Sequence, residues 1–104
     1  MSSPRYRLRL SPQASEDLRD ILQYSLDRWG EEQQQRYAGL LERALITLQD
    51  HPNSGRARPD LWPECRALVV EQHVILYQIT GRRIRVARIL SRRRDLRRAV
   101  RESP

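Results

Sequence analysis

The chain has 104 residues and a formal net charge of +7, and all 20 of its basic residues are arginine. So short a chain excludes a second hydrophobic core, so we expect residues 1–104 to form one domain. The lack of lysine excludes a lysine base or Schiff-base nucleophile, although an arginine-only composition also arises in a GC-rich genome.

The first half of the chain predicts one strand and two helices. Residues 5–10 alternate between arginine and apolar side chains, which is typical of a half-buried strand. Ser11 and Pro12 fit a helix start, and apolar residues at spacings of three and four predict amphipathic helices over 12–29 and 31–51. The short connection between the helices requires an antiparallel hairpin. We expect its seam to contain Leu18, Leu22, Trp29, Leu41 and Leu48.

The second half predicts a loop, three strands and a short helix. Turn-forming residues mark 51–63 as loop. Runs of valine, isoleucine and leucine then predict strands over 66–71, 73–79 and 84–90, and a weak helical spacing follows over 92–100. The predicted fold class is α+β, a two-layer domain. It has an N-terminal strand, a helical hairpin packed on an antiparallel sheet and a short C-terminal helix.

The positive charge is concentrated in the second half of the chain. Residues 51–104 carry a net charge of about +8, and residues 1–50 about −1. Ten arginines lie between Arg82 and Arg101, opposed only by Asp95. This asymmetry predicts an acidic partner, either nucleic acid or an acidic protein segment, although a solvated cationic face fits it too. The stretch has neither interleaved aromatics for base stacking nor a base-reading helix motif.

No cofactor or metal is predicted from the reactive side chains. Cys65 is the single cysteine and is expected to be a small buried hydrophobe. His51 fits a helix end and His73 a turn, and the two form no metal signature. The N-terminal residues 1–4 do not start a hydrophobic secretion signal, and no run of apolar residues is long enough to cross a membrane. We therefore expect a cytoplasmic protein without a membrane partner.

Several short motifs recur in a fixed order along the chain. They are Leu-Ser-Pro-Gln-Ala-Ser-Glu-Asp-Leu at 10–18, Trp-Gly at 29–30, Tyr37, His-Pro-Asn-Ser-Gly at 51–55, Arg66, Tyr77, and Arg-Ile-Leu-Ser-Arg-Arg-Arg-Asp at 88–95. In this order, in a small basic chain, they resemble the RelE/ParE superfamily of toxins from bacterial type II toxin–antitoxin modules, and the ParE branch most closely. The family often has a histidine where this chain has Ser91.

The resemblance implies a toxin that a ParD-like antitoxin neutralises in a hetero-oligomer and that inhibits DNA gyrase by binding. The antitoxin is expected to be acidic and partly disordered. We expect the target to contact the C-terminal arginines Arg92, Arg93, Arg94 and Arg97. We expect the antitoxin to contact Leu18, Leu22, Trp29, Trp62, Arg82 and Arg83, with Trp62 as a candidate exposed anchor.

The alternative functions are a RelE-like mRNA endonuclease on the ribosome and a non-toxic interaction module. RNA cleavage requires a group that accepts the proton of a ribose 2′-hydroxyl. Arg66 could hold a phosphate, but arginine stays charged and is a poor proton carrier; a salt bridge at the sheet edge fits it as well. The chain has no lysine, and neither tyrosine nor histidine beyond Tyr77, so the sequence favours a binding toxin over an enzyme.

Overall fold

The secondary structure follows the predicted order of elements. The computed structural model describes residues 5–102, so residues 1–4, where no secretory signal was expected, and residues 103–104 lie outside it. The elements are β1 (Arg7–Leu10), α1 (Pro12–Trp29), α2 (Glu31–Asp50), a 3-10 turn (Pro52–Ser54), β2 (Arg56–Ala57), β3 (Arg66–Val70), β4 (His73–Thr80), β5 (Arg83–Ser91) and α3 (Leu96–Glu102). Within the segment predicted as loop, β2 is a correction: two residues there pair with β3.

Local sequence signals set the ends of the helical hairpin. The hydroxyl of Ser11 accepts a hydrogen bond from the Ala14 N–H at 3.0 Å, and Pro12 occupies the first turn of α1. Gly30 ends α1 with φ of 94°, a conformation that favours glycine. At the other end of α2, His51 is the C-cap residue, and its N–H donates to the Thr47 carbonyl. These caps confirm the predicted hairpin.

The five strands form one mixed sheet in the order β1-β5-β4-β3-β2. The pairs β3–β4 and β4–β5 are antiparallel, as predicted, and the unpredicted β2 is also antiparallel to β3, whereas β1 lies parallel to β5 at one edge. Two-residue turns join β3 to β4 and β4 to β5, with positive φ angles at Glu71 (56°) and Gly81 (61°). The parallel pair places the first and last strands of the chain side by side. The side chains of β1 and β5 that point away from the helical hairpin therefore lie on the same face of the sheet.

Two hydrophobic clusters cover opposite faces of the sheet. The helical hairpin buries one face, with Leu48, Ile75 and Tyr77 fully buried there. On the other face, Trp62 and α3, which contributes the buried Ala99, pack over the buried residues Cys65, Leu76 and Leu90. The α+β fold class is therefore confirmed, and α3 adds a partial third layer to the predicted two.

The predicted hairpin seam is correct except at one residue. Leu41 and Leu48 are buried, and Leu18 and Leu22 are half-buried. Trp29 is wrong as a seam residue, because it lies in the last turn of α1 and 65% of its surface is exposed. Within residues 5–102, no helix is both long enough and apolar enough to cross a membrane.

Candidate functional site

The predicted target-binding arginines lie at the end of β5 and in α3. Arg92, Arg93 and Arg94 form an exposed turn between the two elements. The guanidinium of Arg92 donates to the Glu71 carbonyl at 3.2 Å, which ties this turn to the β3–β4 turn. Within the part of the chain that the structure describes, Arg93 and Arg94 have no acidic partner. These two guanidinium groups are therefore free to bind an external anion.

Arg97 is engaged within the protein. Its Nε lies 3.2 Å from Oδ2 of Asp60, and Nη2 of Arg58 lies 2.9 Å from the same oxygen. The hydrogen bond from Arg58, and then that from Arg97, lowers the pKa of Asp60 well below its usual range. The four arginines predicted to bind the target thus fall into two pairs. Arg93 and Arg94 have no acidic partner among the described residues, whereas Arg92 and Arg97 contact the β3–β4 turn and Asp60.

The predicted antitoxin-binding residues do not converge on one surface. Leu18, Leu22 and Trp29 lie along α1. Trp62, expected as an exposed anchor, is instead half-buried on the other face of the sheet, where its Nε1 donates to Gln78 at 2.8 Å. Arg82 and Arg83 lie at the β4–β5 turn, and the Arg82 guanidinium stacks 4.7 Å from the centre of the Tyr6 ring.

An exposed aromatic patch occupies the end of α1. Tyr24 and Trp29 are 61% and 65% exposed. The Arg28 guanidinium carbon lies between them, 6.0 Å from the Tyr24 ring centre and 5.9 Å from that of Trp29. The sequence analysis assigned Trp29 to the buried seam and therefore missed this patch, because Trp29 continues the spacing of the buried stripe although it lies in the exposed last turn of α1. Exposed aromatic side chains are candidate anchors for a protein partner.

Arg66, the candidate for a nuclease, holds a loop in place. Its Nη2 donates to the carbonyls of Gly55 and Asn53, at 2.6 and 3.2 Å. The Tyr77 hydroxyl reinforces the same loop, because it donates to the Pro52 carbonyl at 2.6 Å and accepts from the Gly55 N–H at 2.9 Å. The structure therefore gives Arg66 hydrogen bonds to backbone carbonyls at the sheet edge, where a salt bridge had been the expected alternative.

The histidines and the cysteine occupy structural positions. His73 is the first residue of β4, as the predicted strand over 73–79 implies, and it directly follows the β3–β4 turn; its Nδ1 lies 2.5 Å from the Tyr37 hydroxyl. Burial lowers the pKa of His73 and raises that of Tyr37. Cys65 is buried, as predicted, and burial raises its thiol pKa to about 12. Among residues 5–102, no group of three histidine, cysteine, aspartate or glutamate side chains is placed to hold a metal ion.

Comparisons with known proteins match nearly the whole chain. The family model described as ParE toxin of type II toxin-antitoxin system, parDE, matches residues 8–96. Toxin ParE1 of Mycobacterium tuberculosis is 36% identical over 91 residues, which cover 86% of this chain and 93% of the relative. Toxin ParE1 of Caulobacter vibrioides is 37% identical over 82 residues, with coverage of 79% and 84%.

Two solved structures share the fold. A chain from the chromosomal ParDE toxin–antitoxin system of P. aeruginosa superposes with a TM-score of 0.73 at 24% identity, covering 86% of this chain and 98% of that one. A chain from the RelBE2 toxin–antitoxin complex of Mycobacterium tuberculosis gives 0.64 at 19% identity, with coverage of 85% and 99%. At these identities the likeness concerns the arrangement of helices and strands.

Proposed function

The chain belongs to the ParE toxin family of type II toxin–antitoxin systems, and from this premise we propose that it binds DNA gyrase in the cytoplasm and inhibits it without catalysing a reaction. The observation that carries the proposal is the free pair Arg93 and Arg94. Both side chains are exposed at the β5–α3 turn and lack an acidic partner in residues 5–102. Arginine forks bind carboxylates with two parallel hydrogen bonds, so the pair suits an acidic patch on a protein target.

The positions of the candidate proton acceptors support binding over RNA cleavage. His73 is held by Tyr37 near the β3–β4 turn, and His51 caps the end of α2. Arg66 is held by backbone carbonyls at the opposite edge of the sheet from β1. Cleavage of a ribose phosphate needs a proton acceptor and charge stabilisation at one point. The RelE-like endonuclease stays the second candidate, because RelBE2 shares the fold.

For the antitoxin, we limit the proposed contact surface to α1. The aromatic patch of Tyr24, Arg28 and Trp29, with the half-buried Leu18 and Leu22 along the same helix, offers apolar anchors to a partner chain. An acidic antitoxin would add carboxylates beside Arg28. Trp62, Arg82 and Arg83 lie on other surfaces and are not part of this proposal. A small domain that gains such a partner is stabilised by mass action.

Growth assays test both parts of this proposal. Induced expression of the toxin is expected to stop growth, and co-expression of the antitoxin from a neighbouring acidic reading frame is expected to restore it. The double variant Arg93→Glu/Arg94→Glu should be harmless yet still gain thermal stability from the antitoxin. The control Arg19→Glu/Arg43→Glu, with the same charge change at exposed helix positions, should remain toxic. Equal loss of toxicity in both variants would remove the β5–α3 turn as the target surface.

A further inference from the structure

A cluster of four exposed arginines occupies one face of the sheet at its β1–β5 edge. Arg7 pairs with Arg83, and Arg9 with Arg85, as Cα partners in the parallel ladder. Their neighbours Leu8, Leu10, Ile84 and Val86 point to the opposite face and pack beneath the helical hairpin. The four guanidinium groups therefore project from one surface, which we call the cationic face.

The four arginines have no compensating charge in the fold. None of them forms an ion pair or a side-chain hydrogen bond within the described residues. Like charges placed directly opposite each other on neighbouring strands destabilise a sheet. Two such pairs lie side by side here, so folding concentrates positive charge that only an external anion can offset.

The surroundings of the cationic face add donors and positive potential. The four arginines line a cavity of about 550 Å³ together with Gln78, Thr80, Ser11 and Pro12. Ser11 and Pro12 begin α1, an 18-residue helix whose first turn contains no acidic residue. The positive end of the helix dipole thus opens onto the same cavity as the arginines. The site combines charge with hydroxyl and amide side chains.

We propose that the cationic face binds the phosphodiester backbone of double-stranded DNA, without reading its sequence. Arginine guanidinium groups bind phosphates with paired hydrogen bonds, and glutamine and threonine side chains, here Gln78 and Thr80, are common phosphate contacts. No aromatic side chain lines the cavity, so it lacks the stacking platforms that hold single strands. The four arginines, with Gln78 and Thr80 beside them, give this surface the positive charge and the hydrogen-bond donors that suit a duplex backbone.

The composition of the face favours DNA over an acidic peptide. Protein partners bind through apolar or aromatic anchors. The exposed large hydrophobic residues of the described chain, Tyr24, Trp29, Ile46 and Val69, all lie outside the cationic face. Interfaces with DNA are more polar and more positively charged than interfaces between proteins. The charge on this face therefore fits a nucleic acid better than it fits the antitoxin.

This inference goes beyond the proposed function and does not depend on it. Arg83 and Arg85 lie at the start of β5, and Arg93 and Arg94 follow its end. At about 3.3 Å per residue, the length of β5 separates the two surfaces by roughly 25 Å. The toxin can thus contact DNA at one end of the strand while the other end contacts a protein.

Salt-dependent DNA binding tests the inference. The isolated toxin is titrated into a fluorescein-labelled duplex of about 20 base pairs between about 50 and 200 mM salt, and anisotropy gives the dissociation constant. The variant Arg9→Gln/Arg85→Gln is expected to reduce the slope of log affinity against log salt by about 2. The control Arg19→Gln/Arg43→Gln removes the same charge from exposed helix positions and should keep the wild-type slope.

A second readout confirms that the variant is folded. Removing one arginine from each cross-strand pair relieves repulsion, so the melting temperature at low salt should stay equal to that of the wild type or rise. Three results would overturn the proposal: no duplex binding at the lowest salt, an equal loss of slope in both variants, or oligoglutamate of matched charge displacing the DNA at a lower concentration than unlabelled duplex does. Because gyrase is absent from the experiment, its outcome is separate from that of the proposed function.

Discussion

Arg88 and Asp17 form a two-pronged ion pair that joins the last strand to the first helix. Nε and Nη2 of Arg88 lie 2.8 and 3.0 Å from the two carboxylate oxygens of Asp17. Oδ2 of Asp17 also accepts the Ile89 N–H at 3.0 Å. Both side chains are mostly buried, at 12% and 15% exposure. Two sequence motifs that lie 71 residues apart thus meet in a single contact.

Removing the Asp17 carboxylate should destabilise the protein strongly. The variant Asp17→Ala leaves a mostly buried guanidinium and a backbone N–H without their acceptor, so we expect a loss of about 3 kcal/mol in the free energy of unfolding. Asp27, which is exposed on the same helix, is the control, and Asp27→Ala should cost no more than about 0.5 kcal/mol. Urea denaturation measures both. Equal small losses would show that the ion pair does not hold α1 to β5.

Substitutions at the contact between Tyr77 and Gly55 should lower the free energy of unfolding. A Cβ on Gly55 would lie 2.7 Å from the Tyr77 hydroxyl and 2.8 Å from the Ala67 carbonyl, so Gly55→Ala must displace buried groups. Tyr77→Phe should cost about 1–3 kcal/mol because the Gly55 N–H and the Pro52 carbonyl lose their partner. The matched control is Gly39→Ala in α2, which has room for a methyl group and should gain about 0.5–1 kcal/mol. A stabilising Gly55→Ala in thermal melts would contradict the geometry.

Alanine substitutions along the helical hairpin should distinguish core residues from surface residues by the loss in the free energy of unfolding. Leu41 is almost fully buried, so Leu41→Ala is expected to cost about 2–5 kcal/mol. Leu22 is half-buried, and its truncation should cost less. Trp29→Ala should leave stability within about 0.5 kcal/mol, because most of the ring contacts solvent. In the same series, Trp29→Ala should weaken antitoxin binding. If Trp29→Ala instead lowers the free energy of unfolding and keeps the wild-type affinity for the antitoxin, Trp29 belongs to the core and not to the binding surface.

The stability of the fold should fall in mildly acidic solution because of His73. Burial lowers its pKa below 6.5, so the folded state takes up a proton less readily than the unfolded state. The contribution of the neutral His73 to the free energy of unfolding is therefore fully present above about pH 6.5. It is lost as the pH falls from there through the folded-state pKa. The variant His73→Gln should reduce the fall of the melting temperature between about pH 7 and 5. An unchanged profile in His73→Gln would assign the decline to other groups.

The sequence predicted the elements well because their signals are local. Caps at Ser11 and Gly30, the alternation in β1 and the two tight turns act within a few residues of the chain. Pairings between distant segments were not predictable in the same way. The ion pair of Asp17 and Arg88 and the parallel ladder of β1 with β5 depend on how the hairpin folds over the sheet.

Binding sites were harder to predict than helices and strands. Whether a side chain is available to a partner depends on its solvent exposure and on its ion pairs with residues distant in the sequence. Trp29 continues the spacing of the buried stripe, yet it lies at the last turn of α1, where no element covers it. Arg97 looks like Arg93 in the sequence, but Asp60, 37 residues earlier, neutralises it. The cationic face also escaped notice because its members come from the two ends of the chain.

The most direct test of the account is the supercoiling of relaxed plasmid by DNA gyrase in the presence of the toxin. We predict that the toxin inhibits supercoiling, that the antitoxin relieves the inhibition, and that Arg93→Glu/Arg94→Glu leaves gyrase fully active while Arg19→Glu/Arg43→Glu inhibits like the wild type. Unimpaired supercoiling at excess toxin, together with cleavage of ribosome-bound mRNA by the same preparation, would contradict a binding toxin of gyrase and favour the endonuclease.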